Sequence, residues 1–211
     1  ETGAAVLSPA HQTMSRLSIF PECSDVARSL PPLPLLVSED PAIIQTELQR
    51  RGIRFEQWPA PWNLLPGAAE TEILTAYGDA IARLQQESGC RTVDAMRIAP
   101  DHPEREARRQ RFLAEHRHDN DEVRFFVEGQ GLFCFHIDQE VLLTLCVRGD
   151  LISVPAGTRH WFDMGAKPAF CVLRFFSDNA GWVPRYTGDP IASRFPAVSY
   201  THLTLPTNGT V

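Results

Sequence analysis

The stretch from Val123 to Ser177 constrains the fold of this 211-residue chain more than any other. It consists of the short apolar runs "VRFFVEGQGLFCFHI", "EVLLTLCV", "DLISVP", "HWFDM" and "AFCVLRFFS", rich in Val, Phe, Leu and Cys. Between and within them stand "EGQG", "IDQ", "RGD", "PAGT" and "GAKP", all turn-forming. Several short strands at this spacing predict an antiparallel sandwich or barrel.

The part before it reads as helical with irregular stretches. Asp40 followed by Pro41 is a cap and first-turn signal, "AIIQTELQRR" has helical spacing, and Gly52 supplies a stop, so a first helix is expected over about Pro41 to Arg51. "GIRFEQWPAPWNLLPG" is aromatic and proline-rich and suits an extended stretch lying over a core. "AAETEILTAYGDAIARLQQESG" returns to helical periodicity through Ile73, Leu74, Tyr77, Ile81 and Leu84, with Gly89 as stop. A third helix is expected to open on Asp101 as cap and to run to about Leu113, delivering the chain to His116. Residues 14–196 are read as one domain, with a helical front part over 14–115 and a barrel over about 116–180. Residues 1–13 are read as leader or non-native sequence and 197–211 as a non-native or disordered tail, which sets aside His11 and His202.

Composition narrows the possible partners. A net charge of -6 gives no basic field for nucleic acid or anionic lipid. The basic run "REARRQRF" is interleaved with Glu104 and Glu106 and reads as a solvated helix face. No apolar stretch reaches the roughly 18 residues of a membrane helix, so a soluble protein with neither nucleic acid nor membrane as partner is expected. Five cysteines at wide spacing, without a CxxC pair, suggest neither a disulfide framework nor a thiolate metal site. That fits a cytoplasmic location. Cys134, Cys146 and Cys171 are expected to be buried and inert.

The chemistry concentrates in "EHRHDNDE", residues 115–122. Taken alone it is either a charged, solvated turn or a cluster of ligands. In a strand, His116 and His118 project from one face, and Glu122 either keeps the even spacing or arrives by a local turn. "GDLISVPAGTRHW" offers His160 as a fourth ligand after a turn that could fix its approach. Three imidazoles and a carboxylate favour iron, nickel, manganese or zinc over calcium or magnesium. On an octahedral ion four protein ligands leave two positions open, which suits a chelating substrate better than a structural staple. His136 reads as a satisfied barrel histidine near a strand end, His102 as exposed, and Trp161 and Trp182 as packing residues.

The string His116-x-His118-x3-Glu122-x6-Gly129, followed by Gly149-x5-Pro155-x-Gly157-x2-His160, resembles the paired motifs of the cupin superfamily. It departs from them in lacking a glycine five residues before His116 and in having Met164 at the end of the second motif. "HRHDNDEVRFFVEGQGLFCFHI", "DLISVPAGTRHWFDMG" and "GWVPRYTGDPIASRFP", with "MSRLSIF" at the start, resemble bacterial acireductone dioxygenases over nearly all of residues 14 to 196. The resemblance implies a mainly β fold with helices: a cupin double-stranded β-helix, or jelly-roll, barrel with N-terminal helices packed outside. It further implies a monomer holding one Fe2+ or Ni2+ per chain and cleaving the methylthio acireductone with O2 in methionine salvage.

Residue roles follow from the same resemblance. His116, His118, Glu122 and His160 would bind the metal. Arg124 would bind the substrate dianion and help to generate it, and strand alternation can place its guanidinium on the ligand side. Glu115 and Asp121 match positions proposed to assist metal incorporation and to transmit local change; otherwise they read as exposed carboxylates. Phe112 and Phe162 would wall the pocket and hold the thioether tail, or else are core aromatics. Two alternatives differ in what they require. Another cupin metalloenzyme, a sugar-phosphate isomerase or a different dioxygenase, would share the ligands but not the long flanking strings; a non-catalytic cupin module would tolerate lost ligands, whereas four are retained.

Overall fold

A computed structural model describes residues 14–22, 33–177 and 182–195. The expected leader (1–13), tail (197–211), Cys23, His11 and His202 lie outside the described residues. The strands are β1 (Arg16–Pro21), β2 (Leu36–Ser38), β3 (Arg54–Gln57), β4 (Thr92–Ile98), β5 (His116–Arg117), β6 (Glu122–Glu128), β7 (Gln130–Ile137), β8 (Glu140–Val147), β9 (Asp150–Val154), β10 (Arg159–Asp163), β11 (Phe170–Phe176) and β12 (Arg185–Tyr186). The helices are α1 (Pro41–Gln49), α2 (Glu70–Ala76), α3 (Gly78–Ser88), α4 (Arg105–Leu113) and α5 (Ile191–Arg194). Two antiparallel sheets form, in the orders β12-β5-β10-β7-β8-β1-β2 and β3-β9-β6-β11-β4. The fold is mainly β, as expected.

Side-chain alternation explains why the strands read as unbroken apolar runs. On β6, Phe126 joins a central core with Phe133, Phe135 and Phe162 of the other sheet, while Val123, Phe125 and Val127 face the opposite way. There they meet Tyr77, Ile81 and Leu84 of the α2–α3 region. On β7, Phe133 and Phe135 join the central core, while Leu132 and Cys134 turn outward to a third cluster with Trp161, Ile191 and Phe195. A strand covered on both faces loses its polar alternate positions.

The segment expected to be helical contributes strands as well. β1, from "RLSIFP", pairs with β8 over six positions, and β4 pairs with β11 over seven. The proline-rich stretch expected to be merely extended contains β3, paired with β9. The first helix begins as predicted: Asp40 accepts from the Ala42 amide at 2.8 Å, and the chain leaves through Gly52 at φ 81°. The second expected helix is two, broken at Tyr77 (φ -105°, ψ 19°), whose ring is buried edge-on against Phe125 at 5.8 Å. The third starts at Arg105, not on an Asp101 cap. His102, half-buried rather than exposed, accepts the Glu104 amide through Nδ1 at 3.1 Å just ahead of this helix, which has no side-chain cap of its own.

Gly129 turns β6 into β7 at φ 67°, and a Cβ there would lie 1.9 Å from the Ala169 carbonyl oxygen. Only glycine fits that crossing. Asp150, the first residue of β9, is buried and accepts from the Ser15 hydroxyl at 2.6 Å, the Val147 amide at 2.8 Å and Gln57 Nε2 at 3.2 Å. Burial outweighs these donors and raises its carboxyl from 3.8 to about 6. Between those values the folded chain holds a proton that the unfolded chain has released, so this group's contribution to stability falls as pH rises from 4 to 6. Urea unfolding of metal-free wild type and Asp150→Asn at pH 4 and pH 7 should show the asparagine variant gaining about 1 to 3 kcal/mol relative to wild type across the interval.

Candidate metal centre

The site lies where the two sheets meet. β5 and β10 are neighbours in the seven-stranded sheet, and their registered pair is His160 opposite His116. Glu122 and Arg124 come from β6 of the other sheet. His118 lies just past β5, in the link to β6, where its carbonyl accepts the Gly157 amide at 2.9 Å. That contact ties the link carrying His118 to the Pro155–Thr158 turn that introduces His160.

All three imidazoles are held the same way. Nδ1 of His116 faces the Ala114 carbonyl at 2.8 Å, that of His118 the Val183 carbonyl at 3.1 Å, and that of His160 the Thr158 carbonyl at 2.8 Å. With Nδ1 donating to a carbonyl, Nε2 is left with its lone pair free, the tautomer a metal requires. The ring centroids are 4.6 to 5.1 Å apart, and the ligating atoms lie within 4.8 Å of one another. Glu122 Oε2 is 3.1 Å from Nε2 of both His118 and His160. Adjacent ligands on an octahedral ion with bonds of about 2.1 Å stand about 3.0 Å apart. The donor set therefore fits a divalent transition ion.

Electrostatics prepare the same centre. Burial, with His160 alongside, lowers the His116 pKa to about 4, so the ring is neutral near pH 7. Burial alone would raise the Glu122 carboxyl, but the Arg124 charge beside it overcomes this and holds the group well below the usual carboxylate range. Burial lowers the Arg124 pKa, an effect partly offset by Glu122. Arg124 Nε lies 2.7 Å from Glu122 Oε1 without the alignment of a hydrogen bond, and neither Nε nor Nη1 has a hydrogen-bond partner among the described residues. The guanidinium is enclosed by the rings of Phe162, Phe133 and Trp182 at 4.6, 5.2 and 5.2 Å. A buried cation with unspent N–H groups is prepared for an anion. Gly131 makes the enclosure possible: a Cβ there would lie 2.4 Å from Phe162 Cζ.

The remaining expected residues separate by position. Phe162 is fully buried against Arg124, and half-buried Phe112 stands 5.9 Å from the His116 ring. Tyr186, 6.1 Å from His116 and donating to the Arg111 carbonyl, is exposed, as is Val183, whose carbonyl faces His118 Nδ1. Asp121 is exposed, yet its Oδ1 accepts the Ala156 amide at 2.9 Å and its carbonyl accepts Trp182 Nε1 at 3.2 Å. It links the start of β6 to the turn before His160. Glu115 is not the exposed carboxylate that its charged neighbours suggested; it is buried and bonded to His136 at 2.6 Å. From the sequence Trp182 reads only as a packing residue. Its contact with Arg124 could not be inferred from "GWVPRYTGDP", because nothing local places that string over the barrel mouth.

Two facing antiparallel sheets with three imidazoles and a carboxylate gathered at their meeting define a metal-binding cupin. The chain belongs to the acireductone dioxygenase family, and is thus a metal-dependent dioxygenase: the model of the ARD/ARD' family matches residues 35–184. It is 63% identical over 183 residues to the acireductone dioxygenase of Parasynechococcus marenigrum, covering 87% of this chain and 98% of that one. It is 60% identical over 182 residues to that of Prochlorococcus marinus strain MIT 9303, covering 86% and 98%. The solved structure of the Bacillus anthracis acireductone dioxygenase, with a cadmium ion in its active centre, superimposes at a TM-score of 0.68 with 27% identity, covering 84% of this chain and 99% of that one.

His160→Ala should lose metal, measured by elemental analysis after gel filtration, with its strand circular dichroism retained. Glu122→Ala should lose metal as well and also unfold earlier in urea, by about 3 kcal/mol, because Arg124 is then a buried charge without its counterion.

Proposed function

We propose that this chain cleaves the acireductone 1,2-dihydroxy-3-oxo-5-(methylthio)pent-1-ene with O2 in methionine salvage, at a metal ion held by His116, His118, His160 and Glu122. The observation that carries this reading is the placement of the Arg124 guanidinium beside the ligand set, with Nε and Nη1 free of hydrogen-bond partners among the described residues. A bound Fe2+ or Ni2+, one per chain, would supply Lewis acidity and two positions for adjacent substrate oxygens.

An enediol conjugated to a ketone is acidic, and its dianion needs a compensating cation. Arg124 provides one in a water-poor surround, where charge pairing is strong. Phe162 and Trp182 keep water from the guanidinium, and Phe112, with Val183 and Tyr186 nearby, offers apolar surface for the thioether tail. Asp121 would transmit changes at the β6 start to the turn carrying His160, and Glu115 would assist metal incorporation. The bound cadmium of the Bacillus anthracis structure supports a metal in the equivalent centre here.

With iron the products would be 4-methylthio-2-oxobutanoate and formate; with nickel, 3-methylthiopropanoate, formate and carbon monoxide. The ligand set accommodates either ion. A monomer in the cytoplasm completes the reading, consistent with Cys90, Cys134, Cys146 and Cys171 being free, buried thiols. Among the described residues no helix is long and apolar enough to cross a membrane.

Substrate generated without oxygen and mixed with iron-loaded protein should consume O2 on addition of aerated buffer and release formate; nickel-loaded protein should release carbon monoxide as well. Absence of uptake by protein whose iron content has been verified would overturn the assignment. Arg124→Met, which removes the charge and keeps an unbranched stem, should lower kcat/KM at least about a hundredfold with metal content unchanged.

A further inference from the structure

We propose that His136 and Thr187, acting through Glu115, form a clamp that fixes strand β5 and thereby sets the position of the His116 imidazole opposite His160. The inference rests on the ligand assignment above and concerns residues that assignment does not use.

β5 is too short to hold its own place. It is two residues long, meets β10 at one registered pair, and is flanked on its other side by β12, also two residues long. A ladder this short cannot hold a ring to the few tenths of an ångström that a preorganised metal site needs. The residue just before β5 supplies what the ladder lacks. Glu115 is 1% exposed; its Oε2 meets His136 Nδ1 at 2.6 Å and its Oε1 accepts the Thr187 hydroxyl at 2.6 Å. Its backbone carbonyl accepts the Thr187 amide at 3.1 Å.

The topology gives these bonds their direction. His160 registers with Phe135 of β7 and with His116 of β5, so those three side chains share the barrel face. His136 registers with Arg159, on the opposite face of the same sheet. The Glu115–His136 bond therefore spans β10 on its outer side, beside the strand position that carries His160. Thr187 pulls on the same carboxylate from just beyond β12. β5 is thus held through its neighbouring residue from both sides, while His116 points the other way.

Glu115, His136 and Asp189 also approach closely enough to suggest a second cation site. In this arrangement both Glu115 oxygens and His136 Nδ1 are already engaged in hydrogen bonds, and His136 Nε2 has no hydrogen-bond partner among the described residues, only a Glu22 carboxylate oxygen at 3.5 Å. Bonds that already use both Glu115 oxygens and His136 Nδ1 serve to position a strand.

The test uses Ni2+ affinity, measured by competition with a chelator, and the visible spectrum of the Co2+ form, together with metal-free melting curves. His136→Leu and Thr187→Val should each weaken Ni2+ binding about tenfold or more and change the Co2+ bands. His136→Asn, whose amide nitrogen can occupy the Nδ1 position, and Thr187→Ser, which keeps the hydroxyl, should recover most of the loss. Thr187 lies at an exposed chain position, so its variants carry the test even if His136→Leu does not fold. Unchanged Ni2+ affinity and Co2+ bands in folded Thr187→Val, with only the metal-free melting curve lowered, would reduce the contacts to ordinary packing and overturn the clamp. So would failure of both conservative variants to recover affinity, or a second metal equivalent in wild type that His136→Asn abolishes. Wild type that binds no Ni2+, or His116→Ala that binds it as tightly as wild type, would instead overturn the ligand assignment.

Discussion

Glu122 and Arg124 form a buried pair of opposite charges two residues apart on β6, and the rest of the site is organised around it. Neither charge is tolerable alone in this surround. Side by side they leave one carboxylate oxygen turned to two imidazoles, and the guanidinium Nε and Nη1 without a hydrogen-bond partner among the described residues. The strand period that puts both on one face also puts Val123 and Phe125 on the other, against the helical layer. One strand thus carries core on one face and, on the other, the site followed by Phe126 of the central core.

Much of this was legible in the sequence because it is local. The runs from Val123 to Ser177 became strands where expected, and the spacing of His116, His118 and Glu122 needed only the short link from β5 to β6 to become a cluster. His160 required a long-range pairing, but the turn ahead of it announced a fixed approach. What escaped depended on partners far along the chain. "RLSIFP" and "TVDAMRI" carry weak strand signals and become strands because β8 and β11 offer edges to them. The helical run through Tyr77 breaks because burying that ring against Phe125 outweighs continuing the helix.

Charged flanks misled in a similar way. "EHRHDNDE" has the composition of a solvated turn, and composition alone would expose Glu115 and Asp121 alike. Asp121 is indeed exposed, while Glu115 is buried because His136, on another strand, waits behind it. Strand alternation separates neighbours in sequence onto opposite faces, so Glu115 and His116 face different surroundings although they are adjacent.

The proposed ligands come from both sheets, His116 and His160 from one and Glu122 from the other. An ion bound by all of them is therefore a fastening across the seam of the sandwich, holding together two layers that otherwise meet through apolar contacts and turns. Because such an ion favours the folded chain over the unfolded one, its occupancy and the integrity of the sandwich are thermodynamically linked. A cell starved of the metal would hold protein that is inactive and also easier to open, and hence easier to degrade.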